Sequence, residues 1–267
     1  MQNILCPLDF SETSMNAVQY AVNIAEHFQA NLIFMFILSK KNTGEVVSRA
    51  EAEKRMNELS AKLGKDLKSH FTTYQTVILQ GGVVNEIAEY VEENNIDLVV
   101  KGTNAIKDGG EEQVNSITYD VILKSRTTVL SIPKECNYEG FKKIVYASNF
   151  EKSDLEILQS IISLATLFDS FLHVVHFSVE SNEKDEEDFW KFRNHIESYL
   201  SYPKMKIERK IYQGDLGQSL HEYIKDLKGG LLILASKQRN FISSLFHKSL
   251  TKQLSYSMDY PLWVYNI

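Results

Sequence analysis

The chain is written twice, and that constrains its fold more than any other feature. Ile4-Leu5-Cys6-Pro7-Leu8-Asp9-Phe10 is echoed by Ile144-Val145-Tyr146-Ala147-Ser148-Asn149-Phe150. "QGGVVNEIAEYV" from Gln80 returns as "QGDLGQSLHEYI" from Gln213, and "IDLVVKGT" from Ile96 returns as "GGLLILAS" from Gly229. The last two pairs share one offset of 133 residues, so a single alignment carries both. The stretch "PKECNYEG", 133–140, is polar, holds Pro and Gly, and joins the copies. The expectation is two tandem domains of one fold, 1–135 and 141–267. A length of 267 residues agrees with it, at roughly 150 residues per domain.

Within the first copy, apolar runs alternate with helical periodicity. Strands are expected at 2–7, 32–38, 73–79, 97–101 and 128–132. Between them, 13–28 places Met15, Val18, Val22 and Ala25 on one helical face, with Ser11 or Thr13 as N-cap. Residues 45–69 are charged and helical, Val84, Ile87, Ala88 and Val91 mark a third helix, and 116–125 a fourth. The second copy repeats the order from 142 to 266. Alternating β and α with unbroken apolar strands predicts an α/β fold. Each domain is then Rossmann-like, a five-stranded parallel sheet flanked by helices on both faces. Right-handed crossovers put ligands at the carboxyl ends of the strands, near the switch in strand order. Asp9 and Gly102 fall there.

Composition excludes several function classes. The formal charge of −6, with no sustained basic stripe, argues against nucleic acid and anionic membranes as partners. No run approaches the ~18 apolar residues of a membrane span, and the start carries no basic-then-apolar leader pattern. A cytoplasmic protein is the expectation. Cys6 and Cys136 cannot form a disulfide framework, and Cys6 reads as a small buried side chain.

The chemistry concentrates after the fourth strand, in "KGTNAIKDGGEEQVNSITYDVILKSRTTVLSIP", 101–133. With "ILCPLDFSETSMNAVQYAVNIA" at the start and the Gly-rich turn opening the third helix, this loop resembles the universal stress protein family in its tandem two-domain form. The likeness covers essentially the whole chain. It implies the adenine nucleotide alpha-hydrolase-like variant of the fold and a regulatory protein that binds ATP or AMP. Nucleotide-binding members carry Gly-x2-Gly-x9-Gly-Ser/Thr here. That spacing falls on Gly102, Ala105, Asn115 and Ser116 in the first copy, and on Ala235, Gln238, Lys248 and Ser249 in the second. The resemblance assigns Asp9 to the adenosine moiety and Ile37 to the adenine pocket. Gly102, Asn115 and Ser116 go to ribose and phosphates, and Pro7, Ala105 and Ile117 complete the set.

Glycines matter in such a loop because backbone N–H groups must approach a phosphate closely, which a Cβ obstructs. A serine opening a helix adds unpaired N–H groups and the macrodipole. Each residue also has a purely structural reading. Ser116 reads equally as a helix cap, Gly102 as a turn glycine, and Asp9 with Ser11 as a turn and cap. Asn115 tolerates left-handed backbone, whereas Ala105 at φ > 0 would cost on the order of 1 kcal/mol. Asp108, Glu111 and Glu112 oppose a triphosphate unless a metal ion such as magnesium bridges them or the loop turns outward.

No other constellation carries a reaction. His173 and His176 are three apart on an expected strand and point to opposite faces, so they cannot share a metal. The other histidines, His27, His70, His195, His221 and His247, stand singly. Gly-x-Ser-x-Gly, Cys-x-x-Cys and Gly-Lys-Ser/Thr are all missing. "NEKDEED", 182–188, reads as the solvated first turn of a helix. Lys237, Arg239, His247 and Lys248 form either an anion patch or a solvated basic loop. The expectation is therefore a regulatory protein rather than an enzyme, with slow ATP hydrolysis as the upper bound on catalysis. The alternative is an interaction protein acting through partner surfaces. Each copy ends in an apolar edge strand, 128–132 and 262–266. Pairing of these two strands would make the chain a pseudo-dimer and leave further homodimerisation open.

Overall fold

In a computed structural model, the structure describes residues 1–39, 47–66, 72–103, 117–151, 153–179, 183–212, 214–236 and 259–266. The chain divides into two compact units. The first is built on Met1–Tyr138, and the second on the chain from Glu139 together with Tyr260–Tyr265.

The first unit runs β1 (Asn3–Leu8), α1 (Glu12–Phe28), β2 (Asn31–Leu38), α2 (Arg49–Asp66), β3 (Tyr74–Gln80), α3 (Val83–Glu93), β4 (Leu98–Thr103), α4 (Ile117–Lys124) and β5 (Thr128–Pro133). Its strands lie in the order β3-β2-β1-β4-β5 and pair in parallel. The second unit runs β6 (Lys143–Ala147), α5 (Asp154–Leu167), β7 (Phe171–Ser178), α6 (Glu183–Tyr199), β8 (Met205–Ile211), α7 (Leu216–Asp226), β9 (Leu231–Ser236) and β10 (Leu262–Asn266). Its order, β10-β9-β6-β7-β8, is the same winding. The fourth helix expected of the second copy lies outside the described residues.

The inner strands are buried on both faces, which is why they read as unbroken apolar runs. Ile4, Leu5, Cys6, Leu98, Val99 and Val100 are fully buried in the first sheet, as are Ile144, Val145, Leu232 and Ile233 in the second. α1 starts at Ser11, whose hydroxyl accepts from the Ser14 N–H at 3.2 Å, leaving Thr13 inside the first turn. Its buried stripe is Ala17, Val18, Ala21, Ile24 and Ala25. Met15 and Val22, expected at its centre, flank it half-buried, because small alanines let the helix sit closer to the sheet.

The duplication extends to backbone detail. Non-glycine residues with positive φ occur in pairs at equivalent places: Phe10 (61°) with Phe150 (58°), Gln29 (53°) with Asp169 (51°), and Asn95 (49°) with Lys228 (60°). Left-handed backbone disfavours side-chain-bearing residues, so its recurrence marks turns that the fold itself requires.

The crossover geometry sets the switch point of the first unit. From β1 the chain winds outward to β2 and β3, then returns to β4 on the other side of β1. The β1–β4 ladder pairs Ile4 with Leu98 and Leu5 with Val99, at the amino ends of the strands. β1 beyond Leu5 and β4 beyond Val99 continue outside that ladder. This is the switch point, at the carboxyl edge of the sheet.

Candidate functional site

Four expected site residues lie around that edge: Pro7 in β1, Asp9 just after it, Ile37 in β2 and Gly102 in β4. Pro7 pairs with Met35 and Leu8 with Phe36, so Asp9 emerges level with the half-buried Ile37. Ile117 is the first residue of α4 and half-buried. Ala105, Asn115 and Ser116 lie outside the described residues, as do Gln238, Lys248, Ser249 and the basic group Lys237, Arg239 and His247.

Asp9 is exposed at the rim, yet its carboxylate already has structural work. Oδ1 accepts from the Ser11 hydroxyl at 2.6 Å and the Ser11 N–H at 3.0 Å, bracing the turn through Phe10 that launches α1. The Asp9 N–H in turn donates to Ser14 Oγ at 3.4 Å. Desolvation opposes the charged form, but the hydrogen bonds from Ser11 and Ser14 and the nearby Lys101 ammonium win. They hold this carboxyl below the ordinary aspartate range. Asp9 is thus ionised and preorganised at neutral pH, both as a helix-start brace and as an acceptor at the switch point.

Gly102 lies inside β4, paired with Ile132, rather than in a turn after the strand. A Cβ there would meet the backbone of Thr13 in α1, 2.6 Å from its carbonyl oxygen. The glycine lets the first turn of α1 rest directly on β4. The sequence offered a turn glycine or a ligand glycine, and the packing role is a third reason for it.

Lys101, the residue before Gly102, was not singled out from the sequence. It is half-buried in β4, paired with Ser131, and its ammonium donates to the Gly102 carbonyl at 3.0 Å. Desolvation lowers its pKa, while the charge of Asp9 opposes that shift. The signal that could have found it is a charge inside an apolar strand: "LVVKGT" against "LLILAS" in the other copy. Above Asp9, Phe10 packs on Phe36 with centroids 5.3 Å apart, and the Arg55 guanidinium lies 5.7 Å over the Phe10 ring.

In the second unit, an aromatic cluster stands at the equivalent edge. Phe150, at the place of Phe10, stacks on His176 with centroids 3.8 Å apart and also meets Phe189 and Phe192 of α6. His176 Nδ1 lies 2.8 Å from the Ser148 carbonyl, and its Nε2 faces Asp185 at 3.8 Å. Asp185 also holds Arg209 at 2.9 Å. Asn149 stands where Asp9 does, and the missing carboxylate is supplied from α5. Buried Asp154 accepts from the Tyr146 hydroxyl at 2.8 Å, Ser148 Oγ at 2.5 Å and the Glu151 N–H at 3.3 Å. His173 sits on the other face of β7, 3.2 Å from the Tyr223 hydroxyl, so the two histidines do point apart. Among the described residues no group of three or more His, Cys, Asp or Glu could hold a metal, and no helix is long and apolar enough to cross a membrane.

Comparison with known proteins agrees with this geometry. A universal stress protein of Methanocaldococcus jannaschii is 29% identical over 142 residues, covering 50% of this chain and 82% of its own. A crystal structure of a universal stress protein from Archaeoglobus fulgidus superposes with a TM-score of 0.70 at 14% identity, covering 99% of this chain and 96% of that one. A functionally unknown protein from Pseudomonas aeruginosa superposes with a TM-score of 0.69 at 15% identity, covering 100% and 92%. At those identities the superpositions establish the fold alone. Residues 1–133 match the model of the universal stress protein family, and on that match the first domain of the chain belongs to it.

Proposed function

We propose that this chain is a regulatory, non-catalytic protein whose first domain binds an adenine nucleotide, ATP or AMP, while its second domain is structural. The domains are read as 1–135 and 141–267, and the protein as cytoplasmic. The observation that carries the reading is the contrast between the two switch points. The first has an ionised acceptor, Asp9, beside a strand end without side chain, Gly102, where β1 and β4 leave their ladder. The second has Asn149 and Ala235 at those places. A carboxylate there accepts from a ribose hydroxyl or an adenine amine, a charge-assisted bond worth roughly 1.5–3 kcal/mol.

A second reading has its own support. Asp9 braces α1 and Gly102 admits it, so both are needed without any ligand. On that reading the protein acts through partner surfaces. Calorimetric titration of ATP and AMP into wild type, Asp9→Ala and Asn149→Ala separates the two. The nucleotide reading expects binding that Asp9→Ala weakens by about tenfold or more and Asn149→Ala leaves alone. Heat in none of the three leaves the interaction reading standing.

A further inference from the structure

We propose that Lys101 makes the first domain's switch point an anion subsite, and that it gives the domain a preference for phosphorylated ligands over nucleosides. The proposal rests on the nucleotide reading above for the identity of the rest of the ligand, but the subsite is argued from the chain alone.

The repeat supplies the comparison. At the offset of 133 residues, Lys101 corresponds to Leu234, which is 2% exposed in β9. The fold therefore accepts an apolar side chain at this position and packs it fully. A lysine in the same place loses hydration without a fold-level need, since a desolvated charge is favourable only when its hydrogen bonds are met. Its surroundings meet them partly. An ammonium has three N–H donors, and among the described residues this one has a single hydrogen-bond acceptor, the Gly102 carbonyl at 3.0 Å. Asp9 lies within electrostatic reach of it. Lys101 stands toward the carboxyl end of β4, past the two residue pairs that join β4 to β1, with its ammonium at the Gly102 carbonyl and near the exposed Asp9.

That arrangement fits a phosphate oxygen. A lysine binds phosphate as a point charge and needs no glycine-lined backbone to do so. It therefore offers a donor in a copy where Ala105 and Asn115 replace two glycines of the loop pattern. In the second copy Leu234 offers none.

The test uses adenosine, AMP and inorganic pyrophosphate, titrated calorimetrically into wild type, Lys101→Leu and Lys101→Arg of the full chain. Wild type is expected to bind AMP about tenfold to a hundredfold more tightly than adenosine, the range one charge-assisted hydrogen bond supplies. Lys101→Leu is expected to bring that ratio below threefold, and Lys101→Arg to restore most of it. Far-UV circular dichroism checks the fold, with Lys101→Met as the replacement should Lys101→Leu unfold. If adenosine and AMP bind and the ratio survives in Lys101→Leu, the subsite is overturned and the nucleotide reading stands. Should neither bind while pyrophosphate binds wild type and not Lys101→Leu, the nucleotide reading falls and the subsite stands. Folded wild type that takes up none of the three overturns both.

Discussion

Replacing Gly102 with alanine separates a glycine needed for packing from one needed only for a ligand. The added Cβ would sit 2.6 Å from the Thr13 carbonyl oxygen, 2.8 Å from its carbon and 2.9 Å from Thr13 Cγ2. Two of those atoms are backbone in the first turn of α1, so relief requires the helix to move rather than a side chain to rotate. Overpacking of this kind costs about 1–3 kcal/mol. Against it, alanine restricts the unfolded chain and returns about 0.4–1 kcal/mol, with no positive-φ strain at this position. The net expectation is a loss of about 1–2 kcal/mol without any ligand present. Urea unfolding followed by far-UV circular dichroism measures it in both units, while fluorescence from Trp190 and Trp263 reports on the second unit, where both lie. An unchanged circular-dichroism midpoint and slope would refute the packing argument. Were nucleotide binding lost in that same variant, Gly102 would be a ligand glycine.

Two further outcomes follow from the second unit's titrating groups. Burial opposes the Glu208 carboxylate, but hydrogen bonds from Tyr223 at 2.5 Å, Lys206 and Lys210 hold its pKa at about 2. A depressed folded pKa stabilises above the unfolded value near 4.5 and is lost as pH falls toward 2. Glu208→Gln should therefore cost about 2 kcal/mol at pH 7 and progressively less in acid, measured by urea unfolding at a series of pH values. His176 is held below its ordinary pKa by desolvation, so its neutral form belongs to the fold. Stability should fall as pH drops below about 6.5, and His176→Phe should flatten that fall, with His173, also lowered by desolvation, supplying the remainder.

The duplicated winding was legible because buried parallel strands leave unbroken apolar runs at a fixed spacing. Ile96–Val100 and Leu231–Leu234 announce β4 and β9 without ambiguity. On α1 the expected Val18 and Ala25 are buried, but Ala17 and Ala21 take the places expected of Met15 and Val22, because alanines weigh little in a hydrophobic pattern and still set the closest approach to the sheet. The site was less legible, for a physical reason. Asp9 and Gly102 are short residues that serve helix and ligand alike, and no local pattern separates a brace from a binding group. Lys101 was missed because the motif begins at the glycine after it. Asp154 was missed because it restores a carboxylate from the helix side, at a position where the first copy has Ser14.

The two copies differ in length between the second strand and the second helix. From β1 and β6 through β2 and β7, equivalent residues differ by 140, as Asn31 and Phe171 do. The buried faces of the next helices, Met56, Leu59 and Leu63 against Phe189, Phe192 and Ile196, differ by 133. The second copy is thus seven residues shorter between β7 and the buried face of α6. Four residues separate β7 from α6, whose Phe189 and Phe192 meet Phe150. In the first copy ten residues intervene before α2, and the ring at that place, Phe10, meets Phe36 and the Arg55 guanidinium. The second copy also has Asn149 and Leu234 where the first has Asp9 and Lys101, and buried Leu234 has no hydration to lose. Phe189→Ala with Phe192→Ala should destabilise the second unit by several kcal/mol, on the order of 3–5 for each buried ring, read as a lower urea midpoint of Trp190 and Trp263 fluorescence. An unchanged midpoint would show that this cluster does not hold the unit together.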